Sequence, residues 1–496
     1  MSRKIKTLII SAAVLMVLGA ALAVVLLKLP ERKEPASSGD ITSNLLDFLG
    51  EDGERITVLL NRSADEVLKM SVSNDKGGYV FDRMQRGEEY YWETDALGDV
   101  APDEVAIRRF IGLICELSGT EPVEENVSGE GLDKYGLKDP EARVVLSFED
   151  GTGAEISFGI CNPSKTQYVY CTMGDGKVVM ADYLAVKNVF SDACPFAELV
   201  MTEERGSGVT GQPEYVRIER DDIGTPVEIR YMSELDEAAK DESLVITTLN
   251  SYRFVEPIRA EVDASNASGL YDGVCGLEMY ACEFLEKSEE NLKKCGLDAP
   301  FARVEFKYNG VERVLLLGNE FTVTTETSSV QCYYAVLEDV PGIFSLQRNR
   351  ARWATFTLSG SVSNRPVSPY IYSCENVEIT TPDGVFRFDI NAEQKTFSIG
   401  GEHVDGTEFR KLYQKLIGSV GDELYTESAE GEPAVRVKFN YRSEYAAVYG
   451  GISDELCYYR FDGRRYVVGL NGNTLFKVNA VYVDDLVKSV GELVNN

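Results

Sequence analysis

Residue types that usually carry catalysis are sparse in this sequence. His403 is the only histidine among 496 residues, and it lies in the glycine-containing stretch SIGGEHVDGTEF. That stretch predicts a turn just before a helix. A single histidine excludes metal sites built from several imidazoles and leaves one candidate general base. We interpret His403 as a surface residue rather than a catalytic one, because polar residues in turns are usually solvated.

Motifs for nucleotide binding and hydrolysis are missing as well. The chain has no G-x-x-x-x-G-K-[ST] segment, so it cannot be the ATPase of a transporter, and it has no G-x-S-x-G elbow. Ser73 and Lys76 match S-x-x-K, but they fall in a predicted hairpin turn, whereas that chemistry needs the start of a helix. No complete EF-hand spacing occurs. We therefore expect no catalytic residue, no cofactor and no metal site.

Acidic residues dominate the charge. The 81 Asp and Glu residues outnumber the 50 Lys and Arg residues, which gives a formal net charge of -31. This balance excludes a nucleic-acid binder, because such a protein needs basic residues to neutralise phosphates. Acidic pairs such as Asp221–Asp222 and Asp484–Asp485 could hold calcium weakly, but a solvated acidic surface is the simpler interpretation. No pair of carboxylates stands out for glycoside hydrolysis.

The ten cysteines are scattered and form no C-x-x-C pair, so neither a zinc ribbon nor a thioredoxin-like site is supported. Many lie in apolar stretches, as Cys115 does in FIGLICELS, where free thiols behave as small hydrophobic residues. We expect mostly buried thiols, with room for one or two disulfides if the chain is exported.

An internal repeat sets the expected architecture. Residues 135–148 (YGLKDPEARVVLSF) and 295–308 (CGLDAPFARVEFKY) share G-L-x-x-P-x-A-R-V. A third, degenerate copy at 432–441 (EPAVRVKFNY) keeps the P-x-x-R-V spacing but lacks the Gly-Leu pair. The chain is therefore expected to contain three tandem modules.

The start of the motif predicts a helix that ends at a glycine. Such an ending needs a left-handed backbone at the glycine and brings the next residue against the one five positions earlier. Both copies carry leucine at these two places, Leu137 with Leu132 and Leu297 with Leu292. A proline then prevents the helix from resuming. The structural motif comprises Gly136, Leu137, Pro140, Gly296, Leu297 and Pro300.

Arg143, Arg303 and Arg436 recur in register on the strand that follows. One interpretation is a repeated contact with an anion or carboxylate, which makes the three arginines candidate binding residues. The alternative is a strand-face arginine that pairs with neighbouring acids and shields the sheet with its stem.

The same strand alternates apolar and polar residues in all three copies, which predicts an antiparallel sheet covered on one side. An amphipathic helix precedes it in copies one and three, with Pro102 predicted in the first turn of the first helix and Asp405 as the cap of the second. The stretch 232–275 gives no clear element. The expected fold class is α+β, with each module a mostly antiparallel sheet whose helices pack on one face.

The N-terminus predicts a membrane anchor. Residues 7–27 carry no charge, and Arg3, Lys4 and Lys6 precede them. At about 1.5 Å per residue such a helix spans a hydrocarbon core of roughly 30 Å. The basic residues favour a cytoplasmic N-terminus with the bulk of the chain outside the cell membrane. The small residues Ala21 and Ala23 leave a cleaved signal peptide as the alternative.

Changes in composition along the chain predict where its segments and modules begin and end. We predict a cytoplasmic stub at 1–6, a transmembrane signal anchor at 7–27 and a linker at 28–49. Module 1 covers 50–204, module 2 covers 213–358, and the degenerate module 3 covers 370–496.

A membrane helix followed by modules with this motif resembles the bacterial domain-of-unknown-function 4340 family. The resemblance covers most of residues 50–350 well and the last third weakly, and it rests on Tyr135-Gly136-Leu137 with Pro140 and on Cys295-Gly296-Leu297 with Pro300. It implies an envelope protein, and some members of the family are similar to auxiliary components encoded with gliding-motility-type ABC transport systems. It implies no catalytic residues.

These observations favour a non-catalytic, membrane-anchored extracytoplasmic protein that binds a membrane-protein or other envelope partner, as an accessory to an ABC-type transport system. One alternative is a structural rod or adhesin-like envelope protein. The remaining alternative is an envelope hydrolase that uses scattered carboxylates.

Overall fold

The computed structural model describes residues 48–49, 55–87, 89–205, 211–233, 241, 244–245, 251–324 and 328–495. The predicted stub, the transmembrane segment 7–27 and the linker up to residue 47 lie outside these residues. Within the described part of the chain, no helix has the length and apolar character needed to cross a membrane.

The chain divides into two units, 1–58 and 59–496. In the first unit, strand β1 (Phe48–Leu49) pairs antiparallel with β2 (Arg55–Val58), and Phe48 lies opposite Ile56. The second unit contains three large sheets.

The first sheet is built from residues 67–182. Its strands have the order β10-β9-β8-β7-β3-β4-β5, and every pair of neighbours is antiparallel. Helix α1 (Glu104–Cys115) and the short strand β6 (Ser118–Thr120) come between β5 and β7, and helix α2 (Tyr183–Val186) follows β10. The strand bounds are β3 Val67–Asn74, β4 Tyr79–Arg86, β5 Glu89–Glu93, β7 Ala142–Phe148, β8 Gly153–Asn162, β9 Lys165–Thr172 and β10 Val179–Asp182.

The second sheet has the order β14-β13-β12-β11-β16-β17-β18-β19-β15. Its bounds are β11 Tyr215–Arg220, β12 Val227–Tyr231, β13 Tyr252–Glu256, β14 Ala260–Glu261, β15 Ala281–Phe284, β16 Ala302–Tyr308, β17 Val311–Thr324, β18 Ser329–Leu337 and β19 Ile343–Gln347. Helices α3 (Ala264–Asp272) and α4 (Glu289–Lys294) flank β15, while α5 (Arg352–Thr355) and α6 (Leu358–Ser361) follow β19.

The third sheet has the order β23-β22-β21-β20-β25-β26-β27-β28-β24. Its bounds are β20 Cys374–Thr381, β21 Gly384–Asn391, β22 Thr396–Ile399, β23 Glu402–Val404, β24 Glu423–Leu424, β25 Val435–Tyr441, β26 Ser453–Arg460, β27 Arg465–Leu470 and β28 Asn473–Asn479. Its helices are α7 (Gly406–Leu416), α8 (Ala446–Tyr449) and α9 (Ala480–Asn495).

The three sheets share one strand order. In each, the strand of the repeated motif (β7, β16 or β25) pairs antiparallel with the first strand of its segment (β3, β11 or β20). On one side the remaining strands of the upstream segment follow in sequence, and on the other side the downstream strands follow. The exceptions are β15 and β24, which come before the motif strand in the chain but pair with the last downstream strand, β19 or β28. Mostly antiparallel sheets with interspersed helices confirm the α+β fold class.

The periodicity of the sequence explains which face of each sheet is covered. Strand β7 buries Ala142, Val144, Leu146 and Phe148 and exposes the residues between them, while β16 and β25 bury every second residue in the same way. Helix α1 buries its predicted apolar stripe against the same core, and so does α7. This hydrophobic core is continuous from Val67 to Val490.

Several local predictions need correction. Pro102 does not lie in the first turn of α1, because Asp103 caps the helix by accepting hydrogen bonds from the amides of Val105 and Ala106. His403 is exposed as expected, but it lies on edge strand β23 rather than in the turn. The stretch 232–275 has no clear element in the sequence pattern, but it contains β13, β14 and α3, and Asp263 caps α3.

Candidate ligand-binding cavity

The repeated motif forms the helix ending that its glycines predict. Gly136 and Gly296 have φ values of 67° and 68°. The amide of Leu137 donates to the carbonyl of Leu132 at 3.1 Å, and that of Leu297 donates to Leu292 at 2.8 Å. Each leucine pair packs in a small cluster of its own beside the main core. In each copy the motif therefore ends a helix with a hydrogen-bonded turn and packs its two leucines together.

A second pair of glycines completes the motif, and the sequence analysis missed it. A Cβ atom on Gly159 would collide with the carbonyl oxygen of Tyr135, and one on Gly318 would collide with that of Cys295. Both glycines lie where the pairing register shifts, in β8 and β17. Their spacing from the Gly-Leu pair, nearly equal in the two copies, is the signal that could have found them.

The three recurring arginines all pair with acids. Arg143 bonds Glu155 at 2.9 Å, and Arg303 bonds Glu305 at 2.6 Å and Glu338 at 3.1 Å. Arg436 bonds Glu432 at 2.9 Å and lies 3.9 Å from Glu455. Each arginine lies on the central strand of a different sheet, so the fold does not gather them into one site. The pairing favours the interpretation as strand-face ion pairs, and the repeated anion contact stays a prediction.

A cavity of about 660 Å³ lies between the second and third sheets. Its wall on the side of the second sheet comes from residues 253–255 and 259–261, at β13 and β14. Its wall on the side of the third sheet comes from residues 446–450 around α8 and from Asp454, Leu470 and Asn471. Met232, which follows β12, also lines the cavity. Residues 366–368, which lie in the segment predicted to separate modules 2 and 3, complete the lining. This volume matches the range of small-molecule sites.

Apolar groups supply most of the cavity lining, including Val255, Pro366 and Val448. Val448 is held by Tyr445 and Met232 in a hydrophobic cluster that joins the two sheets. Val367 belongs to the main hydrophobic core, and Leu470 packs against this core. An apolar wall of this kind favours burial of a hydrophobic portion of a ligand.

Two arginines and two carboxylates supply the charge. Arg253 donates to Glu261 at 3.2 Å, and burial lowers the pKa of Arg253. Arg259 is exposed at the rim, and within the described part of the chain it forms no hydrogen bond or ion pair. Arg259 is therefore the cationic group in the lining that can meet an incoming ligand.

Asp454 is fixed in the wall. Its carboxylate accepts hydrogen bonds from the Tyr441 hydroxyl and from the Asn471 amide, both at 2.7 Å. Burial, followed by the Asp454 charge, raises the pKa of Tyr441 far above its ordinary value. Tyr441 also stacks on Tyr449 with ring centroids 4.3 Å apart. These contacts hold the Asp454 carboxylate and the Tyr441 hydroxyl in place in the wall of the cavity.

The lining of this cavity holds neither histidine nor cysteine. Across the described residues, no cluster of three or more His, Cys, Asp or Glu side chains is arranged to hold a metal ion. Asp222 of the predicted acidic pair Asp221–Asp222 is bound to Arg220, and Asp485 is bound to Lys415.

A smaller polar cavity of about 350 Å³ contains Arg205, Asp272 and Cys275. Arg205 pairs with Asp272 at 2.5 Å, and its guanidinium lies 3.8 Å from the Cys275 sulfur. Burial raises the pKa of Cys275 despite this cation. Because the thiolate is the reactive form, the site does not favour a nucleophilic cysteine at neutral pH.

The cavity between the second and third sheets could not be found from sequence. Its two walls lie about two hundred positions apart in the chain, and neither carries a motif. Comparison with protein-family models, with curated proteins and with solved structures gives no match for this chain.

Proposed function

We propose that this protein is a non-catalytic, membrane-anchored extracytoplasmic binding protein that takes a small amphipathic ligand between its second and third sheets. The observation that carries the proposal is the cavity of about 660 Å³ with a mostly apolar lining. Arg259 lies exposed in this lining and has no ion-pair partner among the residues that the structure describes. Apolar walls bury the hydrocarbon part of a ligand, and a few placed polar groups fix its orientation.

The shared cavity also supports binding over the alternative of a structural rod. Modules stacked end to end as a spacer need no space enclosed by two of them. Here the lining is drawn from two sheets and from the segment that joins them, and residues 59–496 share one hydrophobic core. Three tandem modules that cooperate in one body form the architecture we propose.

The membrane anchor and the partner form a second part of the proposal. The uncharged segment 7–27 behind Arg3, Lys4 and Lys6 supports a single-pass protein with its bulk outside the cell membrane. The family resemblance supports an accessory role beside an ABC-type transport system, with an integral membrane permease as the partner. The strongly acidic surface does not support nucleic-acid binding.

Ligand binding is tested with anilinonaphthalene sulfonate, an amphipathic anion whose fluorescence rises in apolar sites. We expect saturable binding of the probe to one site of the full chain in detergent micelles. Ala447→Trp, at the exposed edge of the cavity, should weaken binding roughly 10-fold by filling the space. Val481→Trp, an equally exposed change on α9, is the matched control and should leave binding unchanged. Equal binding by both variants would refute the cavity as the site.

Location and partner are tested in native membranes. Protease added to intact cells should digest the bulk of the chain, and crosslinking followed by affinity purification should recover an integral membrane protein. Recovery of no membrane protein from a well-folded sample would favour the rod or adhesin-like alternative. Protection of the whole chain in intact cells would refute the extracytoplasmic location.

A further inference from the structure

The segment that leaves the first sheet runs beside the segment that enters β15 of the second. The amide of Met201 donates to the carbonyl of Leu277 at 2.7 Å, and the amide of Met279 donates to that of Leu199 at 2.8 Å. Val200 and Glu278 form an antiparallel bridge between these hydrogen bonds. The two segments are therefore held in a defined register.

This register continues toward two cysteines. The helical turn Cys194–Phe196 lies just before Leu199 in the chain. Strand β15, which contains Cys282, lies just after Met279. The turn packs directly on this strand. Cys194 and Cys282 are 9% and 8% exposed, and both side chains belong to the main hydrophobic core.

The two thiols lie near each other, because the turn that carries Cys194 packs on the strand that carries Cys282. A hydrogen bond with the Cys282 side chain is the largest cause that raises the pKa of Cys194, followed by burial. Both side chains are in the thiol form in this structure. A disulfide needs two cysteines whose Cβ atoms approach closely from facing backbones, and facing segments in fixed register provide that arrangement.

We propose that Cys194 and Cys282 form a disulfide that ties the first sheet to the second once the chain folds outside the cytoplasm. The inference rests on the extracytoplasmic location in the proposed function, because oxidising compartments are where disulfides persist. The two thiols lose two protons and two electrons to form the S–S bond, and a small-molecule disulfide such as oxidised glutathione is reduced to two thiols. The bond closes a loop of nearly ninety residues, and long loops are those for which chain entropy favours a cross-link most.

Cys171 is a buried cysteine that provides a comparison for Cys194 and Cys282. It is as buried as the pair, on β9, and burial raises its pKa to about 12, but no thiol is among the groups that shift it. Cys171→Ala is therefore a matched control that removes one buried thiol and leaves the proposed bond intact.

The test refolds the full chain from the reduced, unfolded state in a glutathione buffer with detergent, and then counts free thiols and maps linked peptides by mass spectrometry. We expect the ten free cysteines to fall to eight, with one cross-linked peptide joining Cys194 and Cys282. Cys171→Ala should fall from nine thiols to seven with the same peptide. Cys282→Ala should keep nine.

Ten remaining thiols, or a pair that excludes Cys194, would overturn the proposal. Because the experiment uses purified protein, its failure would refute the pairing and leave the location untouched. The location is decided separately by the protease experiment on intact cells.

Discussion

Gly318 packs closely against the backbone of the repeated motif, and this close packing requires a residue without a side chain. A Cβ there would press on the backbone of Cys295, next to the left-handed turn at Gly296. A backbone atom cannot rotate aside as a side chain can, so the strand or the turn must shift.

Gly318→Ala should therefore lower the free energy of unfolding by roughly 1–3 kcal/mol, the usual cost of overpacking a close contact. Gly463→Ala is the matched control, because a Cβ at Gly463 meets nothing within 4 Å. Thermal unfolding followed by circular dichroism gives the comparison. Equal melting temperatures for the two variants would contradict the role given to Gly318.

Arg143 illustrates a residue whose recurrence in the sequence has a plain structural explanation. Its partner Glu155 is about as exposed as the arginine itself, and exposed ion pairs of this kind contribute about 0–1 kcal/mol. Arg143→Gln should change the free energy of unfolding by less than about 1 kcal/mol and leave probe binding in the cavity unchanged. A large loss of probe affinity would support the predicted anion contact of the recurring arginines.

At the scale of elements, α7 depends on its cap. The Asp405 carboxylate accepts hydrogen bonds from the amides of Glu408 at 3.0 Å and Thr407 at 2.9 Å. These two bonds lower the pKa of Asp405 below its ordinary value, with the Glu408 amide contributing most. A depressed folded pKa means that the cap stabilises the helix above the unfolded pKa of about 3.9 and loses this effect as the pH falls through the folded value.

Asp405→Asn separates charge from capping, because asparagine is as good a cap but does not titrate. We expect the aspartate protein to lose stability relative to this variant as the pH falls below about 4. Asp405→Ala should be less stable than both at neutral pH. Melting temperatures measured between neutral pH and pH 3 check this, and parallel curves for Asp and Asn would contradict it.

Elements with strong local signals were predictable from sequence, and those that depend on distant partners were not. The alternation of β16 and the stripe of α7 follow from periodicity, and the Gly296 turn follows from backbone sterics. Helix α3 (ASNASGLYD) carries a weak stripe interrupted by Gly269, and it is held by the Asp263 cap and by packing on Trp353. The indole nitrogen of Trp353 donates to the Leu270 carbonyl at 2.8 Å, a contact across eighty residues that no local pattern contains.

At the scale of the whole molecule, the continuous core couples the three sheets. Trp92 belongs to the first sheet and Trp353 follows the second, and both are buried, so tryptophan fluorescence reports on these two regions. Phe439 is fully buried on β25 of the third sheet.

Phe439→Ala should therefore lower the unfolding midpoint seen by tryptophan fluorescence, although both tryptophans lie outside the third sheet. Truncating a buried phenylalanine costs about 3–5 kcal/mol. Phe461→Ala, which changes a residue that is 42% exposed, is the control and should leave the midpoint nearly unchanged. A fluorescence midpoint that stays fixed while circular dichroism shows a separate early transition would mean that the modules unfold independently.

The glycines behind the helix endings also give a fingerprint for distant relatives. In the first copy twenty-three positions separate Gly136 from Gly159, and in the second copy twenty-two separate Gly296 from Gly318. Neither glycine of a pair tolerates a side chain unless the other region moves, so natural selection should preserve or lose them together. Genomes can be scanned for Gly-Leu-x-x-Pro followed at that spacing by a glycine. Such a two-point pattern discriminates better than the short local signature, which any helix stop can imitate.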